Sequence, residues 1–97
     1  MTPLTKTYRN STRIVCDLLT ITQCTDRDGI AVTSLCQKSN LSHGRLQNFL
    51  ATLTGSGLIN QIKFDGKNTF VITPKGKLFL EEYNRFHELA NSFGLEM

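Results

Sequence analysis

No apolar run in this chain exceeds a few positions, which excludes a bilayer-spanning helix, and the opening Thr2-Pro3-Leu4-Thr5-Lys6-Thr7 lacks the apolar centre of a signal peptide. A cytoplasmic protein with no membrane partner is therefore expected. The three cysteines, Cys16, Cys24 and Cys36, form no C-x-x-C pair and have no matching histidine cluster, so neither a disulfide framework nor a zinc site is encoded. Catalytic patterns are equally scarce. His43 and His87 are far apart, Glu81-Glu82 fall on a solvated helical stretch, and no glycine-rich phosphate loop follows a strand. No catalytic residue, metal or other cofactor is expected, and no small-molecule ligand is evident. Internal repeats and low-complexity tracts are also missing. The sequons Asn10-Ser11-Thr12 and Asn40-Leu41-Ser42 read as chance matches, since nothing directs the chain to a secretory route.

What remains is an ordinary globular composition, 39% hydrophobic and 20% charged over 97 residues, enough for one domain with its own core. The net charge of +3 is modest, but it is unevenly placed. Lys38, Arg45, Lys63, Lys67, Lys75 and Lys77 fall between residues 31 and 80 with Asp65 as the one acid there, so that stretch is cationic and the remainder slightly acidic. Such a concentration is the footprint of a polyanion-binding surface.

Periodicity orders the elements. Ile14, Val15, Leu18, Leu19 and Ile21 recur at helical spacing from a cap at Asn10 or Ser11 to about Gln23. After the polar loop ending at Gly29, Ile30-Ala31-Val32 reads as a short strand, with Thr33 capping a second helix of about five residues anchored by Leu35. Ser42 caps a third helix, Leu41 and Leu46 form a hydrophobic staple, and Leu46, Phe49, Leu50 and Leu53 make its inner stripe before Gly55-Ser56-Gly57 ends it. Ile62, Phe64, Phe70 and Ile72 then alternate with polar positions around a turn at Asp65-Gly66-Lys67-Asn68, which predicts a hairpin with its aromatics on one face. Thr73 caps and Pro74 opens a last helix that runs toward Phe93 and stops at Gly94. Phe79, Tyr83, Phe86, Ala90 and Phe93 on it follow 4-3-4-3 spacing, the seam of a short coiled coil, and are the expected dimerisation residues.

A helix-turn-helix followed by a basic hairpin fits a DNA groove and its flanking phosphates. With the inner stripe of the third helix facing the core, Gln47 and Asn48 turn outward, Arg45 lies on one flank and His43 nearer the other. Gln or Asn can pair bidentately with adenine and Arg with guanine. Ser42 and His43 sit where free N–H groups gather at a helix start, a seat for phosphate. Lys63 and Lys67 near the hairpin tip suit backbone contacts, and Lys38 adds general attraction. For each of these side chains the alternative is a solvated surface.

Several stretches together resemble the small archaeal winged helix-turn-helix DNA-binding proteins that dimerise through a long C-terminal helix. They are Arg13-Ile14-Val15-Cys16-Asp17-Leu18-Leu19, Asn40-Leu41-Ser42, Phe49-Leu50, Leu53, Gly57-Leu58-Ile59 and Ile72-Thr73-Pro74-Lys75-Gly76. The resemblance implies an α+β, mostly helical fold with a two- or three-stranded wing and an extended C-terminal helix. It divides the chain into a flexible arm (1–9), the winged domain (10–78) and a dimerisation helix with its tail (79–97). It also implies a homodimeric, nucleoid-associated transcriptional regulator with double-stranded DNA as partner, its third helix in the major groove. Asp65 in the short wing turn and the small residues Gly44 and Ala51 on the outer helix face depart from a strong sequence reader. A protein-interaction module on the same scaffold, an architectural chromatin protein and a cysteine-based redox sensor are the competing readings.

Overall fold

The computed structural model describes residues 11–25 and 27–95, so the arm expected over residues 1–9 lies outside the described residues. The first helix, α1 (Ser11–Gln23), buries Ile14, Cys16, Leu18, Leu19 and Thr22, and the Thr22 hydroxyl donates to the Leu18 carbonyl at 2.6 Å. Its last carbonyls are taken up locally, by Cys24 N–H on Thr20 and by the amide and hydroxyl of Thr25 on Thr22. The following loop ends at Gly29 (φ 82), where a Cβ would stand 2.8 Å from both the Phe70 carbonyl oxygen and Thr69 Oγ1. Only glycine permits that approach. It brings strand β1 (Ile30–Ala31) alongside the hairpin.

Helix α2 spans Val32–Ser39, eight residues rather than about five, and its N-cap is Ala31 with no side-chain cap. Pairing with the hairpin consumes only Ile30 and Ala31. The chain therefore turns helical one residue before Thr33, which is left exposed within the first turn. Asn40 ends α2 in the left-handed conformation (φ 59), its N–H on the Cys36 carbonyl, and buried Leu41 leads into α3 (His43–Gly55). Ser42 caps α3, its Oγ accepting from Arg45 N–H at 3.3 Å. At the far end, Gly57 (φ 81) donates to Thr54 and Leu58 to Leu53 at 3.0 Å, a complete Schellman closure with Leu53 and Leu58 both buried.

Strands β2 (Ile59–Phe64) and β3 (Lys67–Ile72) form the wing, and the sheet order is β1-β3-β2, antiparallel throughout. The turn is two residues, Asp65 and Gly66, not four. Both have positive φ (53 and 77), the type I′ geometry whose twist matches the strands, so Lys67 and Asn68 join β3. A loop with an even number of residues pairs even positions of one strand with odd positions of the other, as in Gln61↔Phe70 and Phe64↔Lys67. Phe64 and Phe70 consequently project from opposite faces, which corrects the single aromatic face expected from alternation. Phe70 is buried at 5% exposure, whereas Phe64 stands 47% exposed.

Helix α4 (Pro74–Ser92) begins on a clamp. The Thr73 hydroxyl donates toward the Gly57 (2.6 Å) and Leu58 (3.0 Å) carbonyls and accepts from Gly76 N–H at 3.0 Å, tying the first turn of α4 to the end of α3. Ile14, Leu18, Leu19, Leu35, Leu46, Leu53 and Ile59 lie at the centre of the core, each below 2% exposed or close to it. The molecule measures 47 × 26 × 21 Å, elongated because α4 outruns that core. Among the described residues no helix is long and apolar enough to cross a membrane.

Candidate nucleic-acid interface

Helix α3 keeps Leu46, Leu50 and Leu53 inward and Phe49 half-buried, which follows from their spacing on a 3.6-residue turn. His43, Gly44, Arg45, Gln47, Asn48, Ala51 and Thr52 are all exposed and form one continuous outer face. Neither α2 nor α3 contains an acidic residue. Arg45 has no ion-pair partner among the described residues, whereas Arg13 pairs with Asp17 at 3.7 Å and Arg85 with Glu82 at 3.0 Å. Gln47 Nε2 lies 3.4 Å from His43 Nε2, one turn apart, so the imidazole restrains the carboxamide from below. Gly44 has nothing within 4 Å of the position a Cβ would take, leaving an open step in this face. Lys38 is exposed in the last turn of α2.

On the wing the strand register separates the two lysines. Lys63 pairs with Asn68 and shares its face with Gln61, Phe70, Ile59 and Ile72, the face that turns toward the core at its base. Lys67 pairs with Phe64 on the opposite face. Gln61 and Asn68 thus join Lys63 as exposed polar groups. The alternating pattern alone could not reveal this, because it leaves register open.

The expected dimerisation residues divide in a different way. Phe86 (54%) and Phe93 (72%) are exposed, Phe79 is borderline at 38%, Tyr83 packs on the core, and Ala90 is buried within the single chain at 4%. Leu78 and Leu89 are exposed as well and lie on the same side as Phe86 and Phe93. The bare apolar face of α4 is therefore rotated away from Tyr83 and Ala90. Spacing alone does not separate these positions: Tyr83 packs on the core cluster, while Ala90 is buried outside that cluster.

The three cysteines are free and differ in exposure. Burial, with a smaller contribution from neighbouring Asp17, raises the Cys16 thiol from its ordinary 9.0 to about 11 against the opposing pull of Arg13. Cys36 Sγ donates to the Leu41 carbonyl at 3.2 Å, and Cys24 is exposed. Among the described residues no group of three or more potential ligands could hold a metal ion.

A family profile described as winged helix-turn-helix matches residues 8–91. Among solved structures, Sso10a-2, a DNA-binding protein from Sulfolobus solfataricus, superposes with a TM-score of 0.70 at 20% identity, covering 88% of this chain and 85% of that one. SSV1 F-93 gives 0.62 at 24% identity over 95% and 97% of the two chains. An E. coli protein described as a predicted DNA-binding transcriptional regulator gives 0.60 at 15% identity over 86% and 84%. No curated protein matches the sequence at a significant level.

Proposed function

This chain belongs to the winged helix-turn-helix family, and from that membership we propose that it is a homodimeric DNA-binding protein, a transcriptional regulator that meets duplex DNA through α3 and a basic wing. The observation that carries the reading is the acid-free outer face of α3, exposed along its whole length beside a lysine-bearing hairpin. In this reading Ser42 and His43 seat a phosphate at the helix start, Gln47 and Asn48 read base edges, and Arg45 reaches a phosphate or guanine from the flank. Lys63, Lys67 and Lys38 neutralise the neighbouring backbone. The DNA-binding descriptions of Sso10a-2 and of the E. coli regulator support the same assignment. The exposed Leu78, Phe86 and Leu89 on α4 and Phe93 at its C-cap support a second copy as partner, since exposed apolar side chains gathered on one side of a long helix mark a self-association surface, here interrupted by the Glu82–Arg85 ion pair.

Titration with duplex DNA across a salt series tests the proposal. If each subunit neutralises four phosphates, log K falls against log salt with a slope of about −7 for the dimer. An affinity indifferent to salt overturns it. Arg45→Ala or Gln47→Ala should relax sequence preference, whereas Lys63→Ala and Lys67→Ala should weaken all sequences alike. Gly44 and Ala51 leave the outer face short of long side chains, and this favours two alternatives. A protein-interaction module predicts no shift of random duplex in a gel, and an architectural chromatin protein predicts broad rather than peaked genomic occupancy.

A further inference from the structure

We infer that the phenyl ring of Phe64 is the wing's apolar contact with duplex DNA, packing against deoxyribose at the edge of the minor groove. The inference rests on the duplex-binding reading above and adds a residue and a type of contact to it. Phe64 closes β2 immediately before the Asp65-Gly66 turn and is 47% exposed on the sheet face that points away from Phe70. Ile62, on the same face nearer the base of the hairpin, is half-buried, so the ring stands beyond the part of the sheet that the body covers. Phe64 belongs neither to the core cluster nor to the partly buried residues packed around it.

Its surroundings select the occupant. Lys67 is its exposed cross-strand neighbour on the same face, while Lys63, the preceding residue, projects from the opposite face of the wing. An apolar protein surface would have to desolvate the Lys67 ammonium to reach the ring, whereas duplex DNA offers a phosphate to it and an apolar sugar wall beside it. Size points to the ring alone. Strands lie about 4.8 Å apart before their side chains are added, and the minor groove is only about 6 Å wide. A hairpin with a two-residue tip does not thread it, but a single ring projecting from the flank enters its mouth while Lys67 beside it meets the backbone. The contact carries no base-edge hydrogen bond, so it strengthens every sequence equally. It releases no counterion, so its contribution is independent of salt.

The test is a salt series of duplex titrations on the full chain with wild type, Phe64→Ala, Phe64→Trp and Lys67→Ala, accompanied by thermal unfolding and sedimentation of the DNA-free proteins. Phe64→Ala should lower affinity about tenfold per site at every salt concentration, in a line parallel to wild type, as the loss of a buried aromatic contact requires. Phe64→Trp should restore it, and Lys67→Ala should instead flatten the slope by about one per site. Unfolding temperature should change little with Phe64→Ala, because the ring lies outside the core cluster. Equal affinity of Phe64→Ala and wild type overturns the inference, as does a change of slope or a fall in the sedimenting mass of the free protein, which would assign the ring to self-association. Wild type that binds no duplex removes the family-based reading as well, so the two failures are distinguishable.

Discussion

Gly44 stands second in α3 with open space around the missing Cβ, so alanine there adds helix propensity at no steric cost. Gly44→Ala should stabilise the free protein by up to about 1 kcal/mol and raise its melting temperature by about 4–8 °C. On the outer face of the helix, the same methyl holds the backbone off the phosphates, and duplex affinity should fall. Gains in both stability and affinity would show that the glycine serves no approach to DNA. Cys16 yields a prediction of a different kind. Its folded pKa of about 11 exceeds the ordinary 9.0, so the unfolded chain loses the thiol proton first as pH rises. Below pH 9 both states hold the proton and this group has no effect. Through 9 to 11 stability should decline, and less so in Cys16→Ala when each variant is compared with its own neutral-pH value by urea unfolding. Residue roles that depend on near neighbours were legible in the sequence: Ser42 as cap and Thr73 before Pro74 are set within three or four positions. The face of Phe64 was not, because it depends on strand register, and nothing in the spacing along α4 separates buried Ala90 from exposed Phe86.

At the scale of elements, the junction between α3 and α4 carries the architecture. A Cβ on Gly76 would collide with the Leu58 backbone carbonyl and crowd Ile72 Cγ1 at 2.8 Å. Neither the helix start nor the Schellman loop can yield, since the Leu58 carbonyl also accepts from Thr73 N–H at 3.1 Å. Gly76→Ala should therefore destabilise by about 3 kcal/mol or more, measured by urea unfolding. Thr73→Val keeps the shape but strips the hydroxyl from three partners, and should cost about 1–3 kcal/mol. An unchanged midpoint in either variant would mean that this junction does not hold α4. Elements with a strong period and their own punctuation, α1, α3 and α4, were readable nearly to the residue. The second helix was not, because its start is set by where β1 stops pairing with β3 and no cap residue marks that point. The wing turn was misjudged in length because polar Lys67 and Asn68 look like loop residues in the sequence, whereas Asp65-Gly66 alone closes the turn and both join β3.

For the whole molecule, the proposed self-association raises the question of how two copies would join. The bare strip of Leu78, Phe86, Leu89 and Phe93 runs along one side of α4, and Phe79, Phe86 and Phe93 repeat every seven residues. A parallel pair would set the two cationic winged domains side by side and align both helix dipoles, which is repulsive on both counts. An antiparallel pair centred on Phe86 sends the domains to opposite ends of a helix about 28 Å long, several Debye lengths apart at physiological salt. That separation also approaches the 34–36 Å or so between successive major-groove faces, the spacing that two recognition helices on a palindromic site require. Phe86→Glu should then convert the proposed dimer to a monomer with little loss of fold, since the ring is 54% exposed in the single chain. Orientation is tested by oxidative cross-linking in a Cys24→Ser background, which removes the exposed thiol. Phe79→Cys and Phe93→Cys should each fail to cross-link alone and should do so when mixed, because antiparallel pairing brings position 79 of one copy to 93 of the other. Cross-linking of each variant with itself would establish the parallel arrangement and remove the groove-spacing argument with it.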